Sequence, residues 1–371
     1  MTPTRRASEG VLFLALLALP LPLAAADQAV LAELDALGAR TTRNEAGEVT
    51  AVDLTNAWLS DADLALLARL PQLESINLSY TKITDEGLER LAPLQRVQVL
   101  DLYYAESVTD LGIAHLKHWK NLRRLNLRGT KVTSSLFEHI AGMPQLTFLD
   151  VGHSRVNDDL FEVLDTLPRL AHLSFGGNKM SGAALPLLKS LPALKSLSVS
   201  GQQRTDSGLW SVAVTDFNVT QIAQIGGLEV LDLGGTNLTD RGVAELAGLQ
   251  NLQSLDLRGT RVTGKGLAAL AGLPQLCRLK LWQARGIDDA AAGALVELKS
   301  LQILEVPETS LTAAGLMQLA AHPRLEQLYI GGLALDGEQL AALRRAWPKC
   351  QISWWQKPEI ENLEPRRRFG N

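Results

Sequence analysis

The chain has 371 residues, 46% of them hydrophobic and 20% charged, with a formal net charge of −4. That apolar content excludes a disordered chain, and the mild acidity gives no electrostatic basis for nucleic-acid binding. Two cysteines, Cys277 and Cys350, are too few for a disulfide framework or a structural zinc site.

The chain opens with Arg5 and Arg6, then an uninterrupted apolar run from Val11 to Leu19, then Pro20, Pro22 and Ala24-Ala25-Ala26 before Asp27. That order predicts a secretory signal peptide over residues 1–26, and with it export to the periplasm or beyond. The run is too short for a bilayer span, which needs about 20 residues. An uncleaved anchor or a misassigned start is the alternative. No later stretch is apolar enough to be transmembrane, so no integral span is expected after cleavage.

Residues 27–48 read as an N-terminal cap. Residues 28–38 (QAVLAELDALG) suggest a short amphipathic helix ending at Gly38. Residues 39–43 and 48–54 are placed to pair as a hairpin across Asn44-Glu-Ala-Gly47.

From residue 49 to 350 the chain repeats. Blocks of LxxLxL begin at Val49, Leu73, Val97, Leu122, Leu146, Leu170, Leu194, Leu228, Leu252, Leu276, Leu301 and Leu325. The period is 24 residues, with two intervals of 25 and one of 34. A fixed period of this size marks a stacked repeat array. The fourth and sixth positions of each block fall on one face of a short strand. A single such strand cannot bury that face alone, so neighbouring copies must stack. A turn follows, then a pattern clear in Thr81-Lys-Ile83-Thr84-Asp85-Glu-Gly87-Leu88. Thr84 or Asp85 suits a helix N-cap, and Leu88, Leu91 and Leu94 form a helical stripe facing the sheet. The column Thr81, Thr130, Ser154, Asn178, Thr236, Thr260, Thr309 is expected to hydrogen-bond backbone groups of the turns above and below.

The long interval is expected to hold its ten extra residues between Trp210 and Ile222, emerging on the helix side as a hairpin or lengthened helix. Arg204-Thr205-Asp206-Ser-Gly208-Leu209 reads as the usual Thr-Asp-x-Gly-Leu unit. At the far end, residues 346–355 suggest a closing strand with heavy aromatics. The tail beyond, carrying Arg366-Arg367-Arg368, is expected to be flexible.

The unit LxxLxLxxTxITDxGLxxLxxLPx resembles a bacterial leucine-rich repeat. It is closest to the ribonuclease-inhibitor-like version related to the cysteine-containing repeats of F-box proteins, with Thr where those carry Cys. The resemblance implies an α/β fold, a right-handed horseshoe solenoid with parallel strands on the concave face and helices on the convex face. It is nearly silent on function, since such solenoids serve unrelated partners.

The third, fifth, seventh and eighth positions of each repeat are expected to face the concave groove. The fifth-position row alternates Asp53, Asn77, Asp101, Asn126, Asp150 at first, which suits a self-satisfied polar ladder better than a calcium surface. Two clusters have the composition of binding hot spots, rich in Tyr, Trp and Arg. One holds Tyr80, Tyr103, Tyr104, Arg124, Arg128, Phe148 and His153. The other holds Arg258, Arg278, Lys280, Trp282 and Tyr329. A shallow Ser/Gly floor is expected between them.

The sequence offers no phosphate-binding glycine loop and no His pair at zinc spacing, and nothing presents Ser174 or Ser196 as an activated nucleophile. No cofactor or metal is expected. The main expectation is an exported, non-enzymatic protein that binds an unidentified protein through its concave face. The alternatives are an envelope glycan-binding module and, behind it, an enzyme or enzyme inhibitor.

Overall fold

The computed structural model describes residues 25–206 and 208–356. Residues 1–24 of the expected signal peptide and the tail arginines lie outside the described residues. A helix, Ala25–Ala36, begins at the second alanine of the expected cleavage motif.

Among the described residues fourteen strands form one sheet whose order in space is their order in the chain. The first two, Arg40–Arg43 and Val49–Asp53, are antiparallel, joined by the Asn44–Gly47 turn. Every later junction is parallel and in register. Asp53 lies beside Asn77, then Asp101, Asn126, Asp150, Ser174 and Ser198. The row continues through Asp232, Asp256, Lys280, Glu305, Tyr329 and Ser353. The 34-residue interval therefore costs the sheet no register: Leu197 sits beside Leu231 as if the repeat were ordinary.

The alternation in each strand sorts side chains between two faces. In Ser75–Asn77 only Ile76 is buried, and the same pattern recurs in Val99–Asp101 and Phe148–Asp150. The fourth and sixth positions, such as Leu125 with Leu127 and Leu255 with Leu257, are fully excluded from solvent. Each such leucine contributes about 1.5–3 kcal/mol by burial. Short α- and 3₁₀-helices cover that inner face. Trp119, Phe137 and Phe175 are the largest side chains sealed between the layers.

Thr84, not Asp85, is the N-cap, accepting from the Glu86 N–H. In many repeats the aspartate at the Asp85 position reaches the next repeat instead. Asp85 accepts from the Thr109 N–H at 2.8 Å and from its hydroxyl at 2.6 Å. Asp61 binds Thr84, Asp110 binds Thr133, Asp216 binds Thr239, Asp240 binds Thr263 and Asp289 binds Thr312 in the same way. This two-bond staple explains the glycine of the motif. A Cβ on Gly266 would lie 2.6 Å from Asp240 Oδ1, and one on Gly112 would lie 2.5 Å from Asp85 Oδ1. The hydroxyl column is more local than expected: Thr81, Thr130, Thr236 and Thr260 each donate to the strand carbonyl three residues earlier in their own repeat. Asn178 also bonds the repeat before, donating to the Val151 carbonyl at 2.8 Å and accepting from the Ser154 hydroxyl at 3.3 Å.

The extra residues do not lie where the sequence reading places them. The surplus forms an antiparallel hairpin, Gln203–Thr205 with Gly208–Trp210, immediately after the sheet strand Ser196–Ser198. It leaves at the strand-to-helix turn and not on the helix side. Thr205-Asp206 is part of this hairpin. The true Thr-Asp pair is Thr215-Asp216, since Asp216 makes the staple to Thr239. Val212 and Val214 are buried and rejoin the stack, with Val214 accepting from the Asn237 N–H.

Both ends are sealed. Val30 and Leu34 of the first helix cover one end of the core. The exposed strand Arg40–Arg43 blunts that sheet edge with two arginines. At the other end Gly337–Ala346 is a helix capped by Asp336 and Gln339, and Gln351–Ser353 pairs with Gln327–Tyr329. Leu343, Trp347 and Cys350 bury there. Among the described residues no helix is long and apolar enough to cross a membrane.

Candidate functional site

The eighth position of every repeat lies in the left-handed backbone region, because the chain turns sharply off the strand there. Gly129, Gly177, Gly201, Gly235, Gly259 and Gly332 fill it in six repeats. Asn56, Tyr80, Tyr104, His153, Gln283 and Glu308 fill it in the other six, with φ between 51° and 59°. Asn tolerates this region and bulky residues do not. Such strain costs on the order of 1–3 kcal/mol per residue and gathers at functional sites. Three of the residues singled out from sequence, Tyr80, Tyr104 and His153, are therefore held where glycine would sit unstrained.

The tyrosines meet. Tyr80 and Tyr104 stack at 5.8 Å between ring centroids, and Tyr103 lies edge-on to both, at 5.2 and 4.8 Å. Tyr104 covers Gly129, whose Cβ would collide with the ring at 2.7 Å. Tyr80 is half exposed at the rim. Further along, Arg124 places its guanidinium 3.5 Å from the centre of the Phe148 ring, which in turn lies 6.0 Å from the His172 ring. The His153 ring lies against Gly177 and Gly201. Burial and the nearby Arg128 hold its pKa below the ordinary histidine value. Burial and Arg124 do the same to His172, against a weaker pull from Glu229.

The floor between the two clusters is a shared basin, not a separator. In the seventh-position row Arg128 is followed by Gly152, Gly176, Ser200, Gly234 and then Arg258. Arg128 leans forward over Gly152, and Arg258 leans back over Gly234, where a Cβ would meet its side chain at 2.7 Å. Both arginines line a depression of about 380 Å³ with Phe148, Asp150, Ser196 and Asp232, and another of about 500 Å³ with Gln202 and Trp282. Asp150 accepts the Gly152 N–H at 2.8 Å and has Arg128 at 3.7 Å. Burial nonetheless pushes its carboxyl above the usual carboxylate value.

The polar ladder satisfies itself. Asp101 accepts from the Asn126 amide at 3.0 Å and from the Ser79 hydroxyl at 2.9 Å. Asp232 and Asp256 are adjacent in register, and burial and their mutual repulsion raise the Asp256 pKa. Arg258 bridges them at 3.2 and 3.4 Å, with Lys280 3.7 Å from Asp256. Among the described residues no three His, Cys, Asp or Glu side chains gather as a metal-ligand set.

The remaining C-terminal residues are engaged nearby. Arg278 donates twice to Glu305 Oε1, at 2.8 and 3.1 Å. Trp282 donates to Glu308 at 3.4 Å. Tyr329 donates to Gln327 on its own strand and lines neither depression. Sequence reasoning missed Gln202, Gly234 and Asp232 as part of the site. The signal was available in the seventh-position row, where two arginines bracket four small residues. Both cysteines are free thiols; burial pushes the Cys350 thiol up to about 11.

Comparison with known proteins agrees with this architecture. The family described as Leucine Rich repeat matches residues 70–92, 228–247 and 248–271. The fold is similar to that of an internalin from Listeria monocytogenes, with a TM-score of 0.56 at 20% identity over 89% of this chain and 94% of that one. A leucine-rich-repeat protein from Leptospira interrogans aligns over 88% of this chain and 97% of its own, at 19% identity and a TM-score of 0.41. No curated protein sequence matches significantly. The chain has an α/β leucine-rich-repeat solenoid fold, and three stretches of it match the repeat family model.

Proposed function

We propose that this is an exported, non-enzymatic bacterial binding protein that takes a protein partner on the concave face of its solenoid. The repeat is read as the ribonuclease-inhibitor-like, cysteine-containing subclass, on its 24-residue Thr-x-Ile-Thr-Asp-x-Gly-Leu unit. The observation that carries the reading is the left-handed backbone at Tyr80, Tyr104 and His153. Six sister repeats fill the same position with glycine, so folding alone does not call for a large ring there. Rings kept at that cost suit a binding surface, because Tyr buries much area and still makes directed polar contacts. The tyrosine cluster, the Arg124–Phe148 pair and the Arg128–Arg258 basin would then form one contact surface along the sheet face. Export rests on the order of residues 1–26.

The test separates strain from packing. Tyr104→Gly relieves a strained backbone and loses ring contacts worth about 0.5–1.5 kcal/mol. Stability should therefore change by no more than about 1 kcal/mol in denaturant unfolding. A partner captured by crosslinking in the native envelope, and identified by mass spectrometry, should bind Tyr104→Gly and Tyr80→Gly at least tenfold more weakly. Unchanged affinity in both variants would remove the tyrosine cluster from the surface. Binding to a glycan array with none to envelope proteins would favour the glycan reading instead.

A further inference from the structure

The basin holds two cations with unused donors. Arg128 is largely covered, with only 22% of its side chain exposed, yet its nearest carboxylate oxygen is 3.7 Å away, beyond hydrogen-bond reach. Among the described residues its guanidinium donates no hydrogen bond, and Asp150 is its ion-pair partner. Arg258 contacts Asp232 and Asp256 through Nη2, and its Nε lies over Gly234 on the basin floor. A guanidinium carries five N–H groups in a flat fork that matches a carboxylate. The carboxylates beneath are already engaged: Asp232 takes the hydroxyls of Ser198 and Ser200, and Asp150 takes the Gly152 N–H.

Spacing limits what can sit there. The guanidiniums lean inward to lie over Gly152 and Gly234, three strand junctions apart. At about 4.8 Å per junction the separation is about 14 Å. Four residues of extended peptide at about 3.4 Å each cover nearly the same length. The floor between carries no side chain larger than serine in the seventh-position row, so a main chain can lie close to it. A sugar would want an open aromatic face above this floor. Of the large rings that line the two depressions, Phe148 has a face covered by Arg124 and Trp282 stands one strand beyond Arg258.

We propose that the basin binds an extended acidic peptide segment, with carboxylates four residues apart seated on Arg128 and Arg258. This rests on the protein-partner reading and names the chemistry of the partner's contact.

The probe is a fluorescent synthetic peptide containing Glu-Ser-Gly-Ser-Glu between Gly-Ser flanks, titrated with the full chain at low salt and read by anisotropy. Replacing both glutamates by glutamine should weaken binding at least tenfold. So should Arg128→Gln and Arg258→Gln, each titrated below its own thermal unfolding transition. A peptide with adjacent glutamates should lose most of the gain, and added salt should weaken the complex. The proposal is overturned if the glutamine peptide binds equally, if either arginine variant binds as the parent does, or if no peptide binds. It is also overturned if an oligogalacturonate binds and the peptide does not, an outcome that argues against a protein partner as well. A captured partner that depends on Tyr80 and Tyr104 but not on Arg258 would overturn this inference alone.

Discussion

At the scale of single residues, the fold is regulated by contacts one atom wide. Gly266 faces both the Asp240 carboxylate at 2.6 Å and the Asp240 Cα at 2.9 Å, as measured from the Cβ that alanine would add. Backbone cannot yield as a long side chain does, so Gly266→Ala should destabilise by about 1–3 kcal/mol. A urea midpoint equal to the parent's would show that the stack gives way freely. His322 offers a pH test. Its Nε2 lies 3.0 Å from the Leu298 carbonyl, and its Nδ1 accepts from the Arg324 N–H at 3.2 Å. Both bonds together need a neutral ring protonated at Nε2. Burial, helped by Lys299, holds the pKa below the ordinary 6.5, although the Leu298 bond pulls the other way. A folded value below the unfolded one means that the stabilisation is full above pH 6.5 and is lost as pH falls from there toward the folded value. Melting temperature should therefore drop between pH 7.5 and 5.5, and His322→Gln should flatten that drop. An unchanged slope would assign it to His153 and His172, which are shifted in the same direction.

At the scale of elements, what was legible depended on whether the signal was a spacing or an orientation. LxxLxL spacing marks the twelve strands of the long sheet from Val49–Asp53 to Gln327–Tyr329, because period 2 against a buried face admits one reading. The threonine of the Thr84-Asp85 motif marks helix starts at Thr84, Thr109, Thr239, Thr263 and Thr312, where its hydroxyl caps the helix. The hairpin misled because Thr205-Asp206-Ser-Gly208-Leu209 copies the local motif. The error is visible only in the partner: Asp216 to Thr239 is 23 residues, the separation of Asp61–Thr84 and Asp240–Thr263. The lean of Arg128 and Arg258 toward each other was not legible either, because a row position fixes where a side chain starts and not where it ends. The hairpin itself is separable. Its strands pair with one another, and Leu209 is exposed. Replacing residues 203–210 by Asn-Gly should change stability by no more than about 1 kcal/mol, since loop length enters only logarithmically. Loss of cooperative unfolding on that replacement would show that the hairpin braces the stack.

At the scale of the molecule, the solenoid has contacts only between neighbours, so its stability is a chain of local terms. Trp347 closes the last helix and is nearly fully buried. Trp347→Ala should cost about 3–5 kcal/mol locally. The damage should stay local: amide exchange should quicken in Gln327–Tyr329 and Gln351–Ser353 and remain slow in Arg124–Asn126. Uniform loss of protection along the sheet would mean that the array unfolds as one unit.

The unbroken register has a metric consequence. Because each junction advances the sheet by about 4.8 Å without slippage, the inner wall is graduated like a ruler. Shifting an anchoring side chain to the same place in the next repeat resets the grip by one graduation and leaves the scale intact. An engineered ladder of such shifts would select cargo by length, and the chain already contains the gauge.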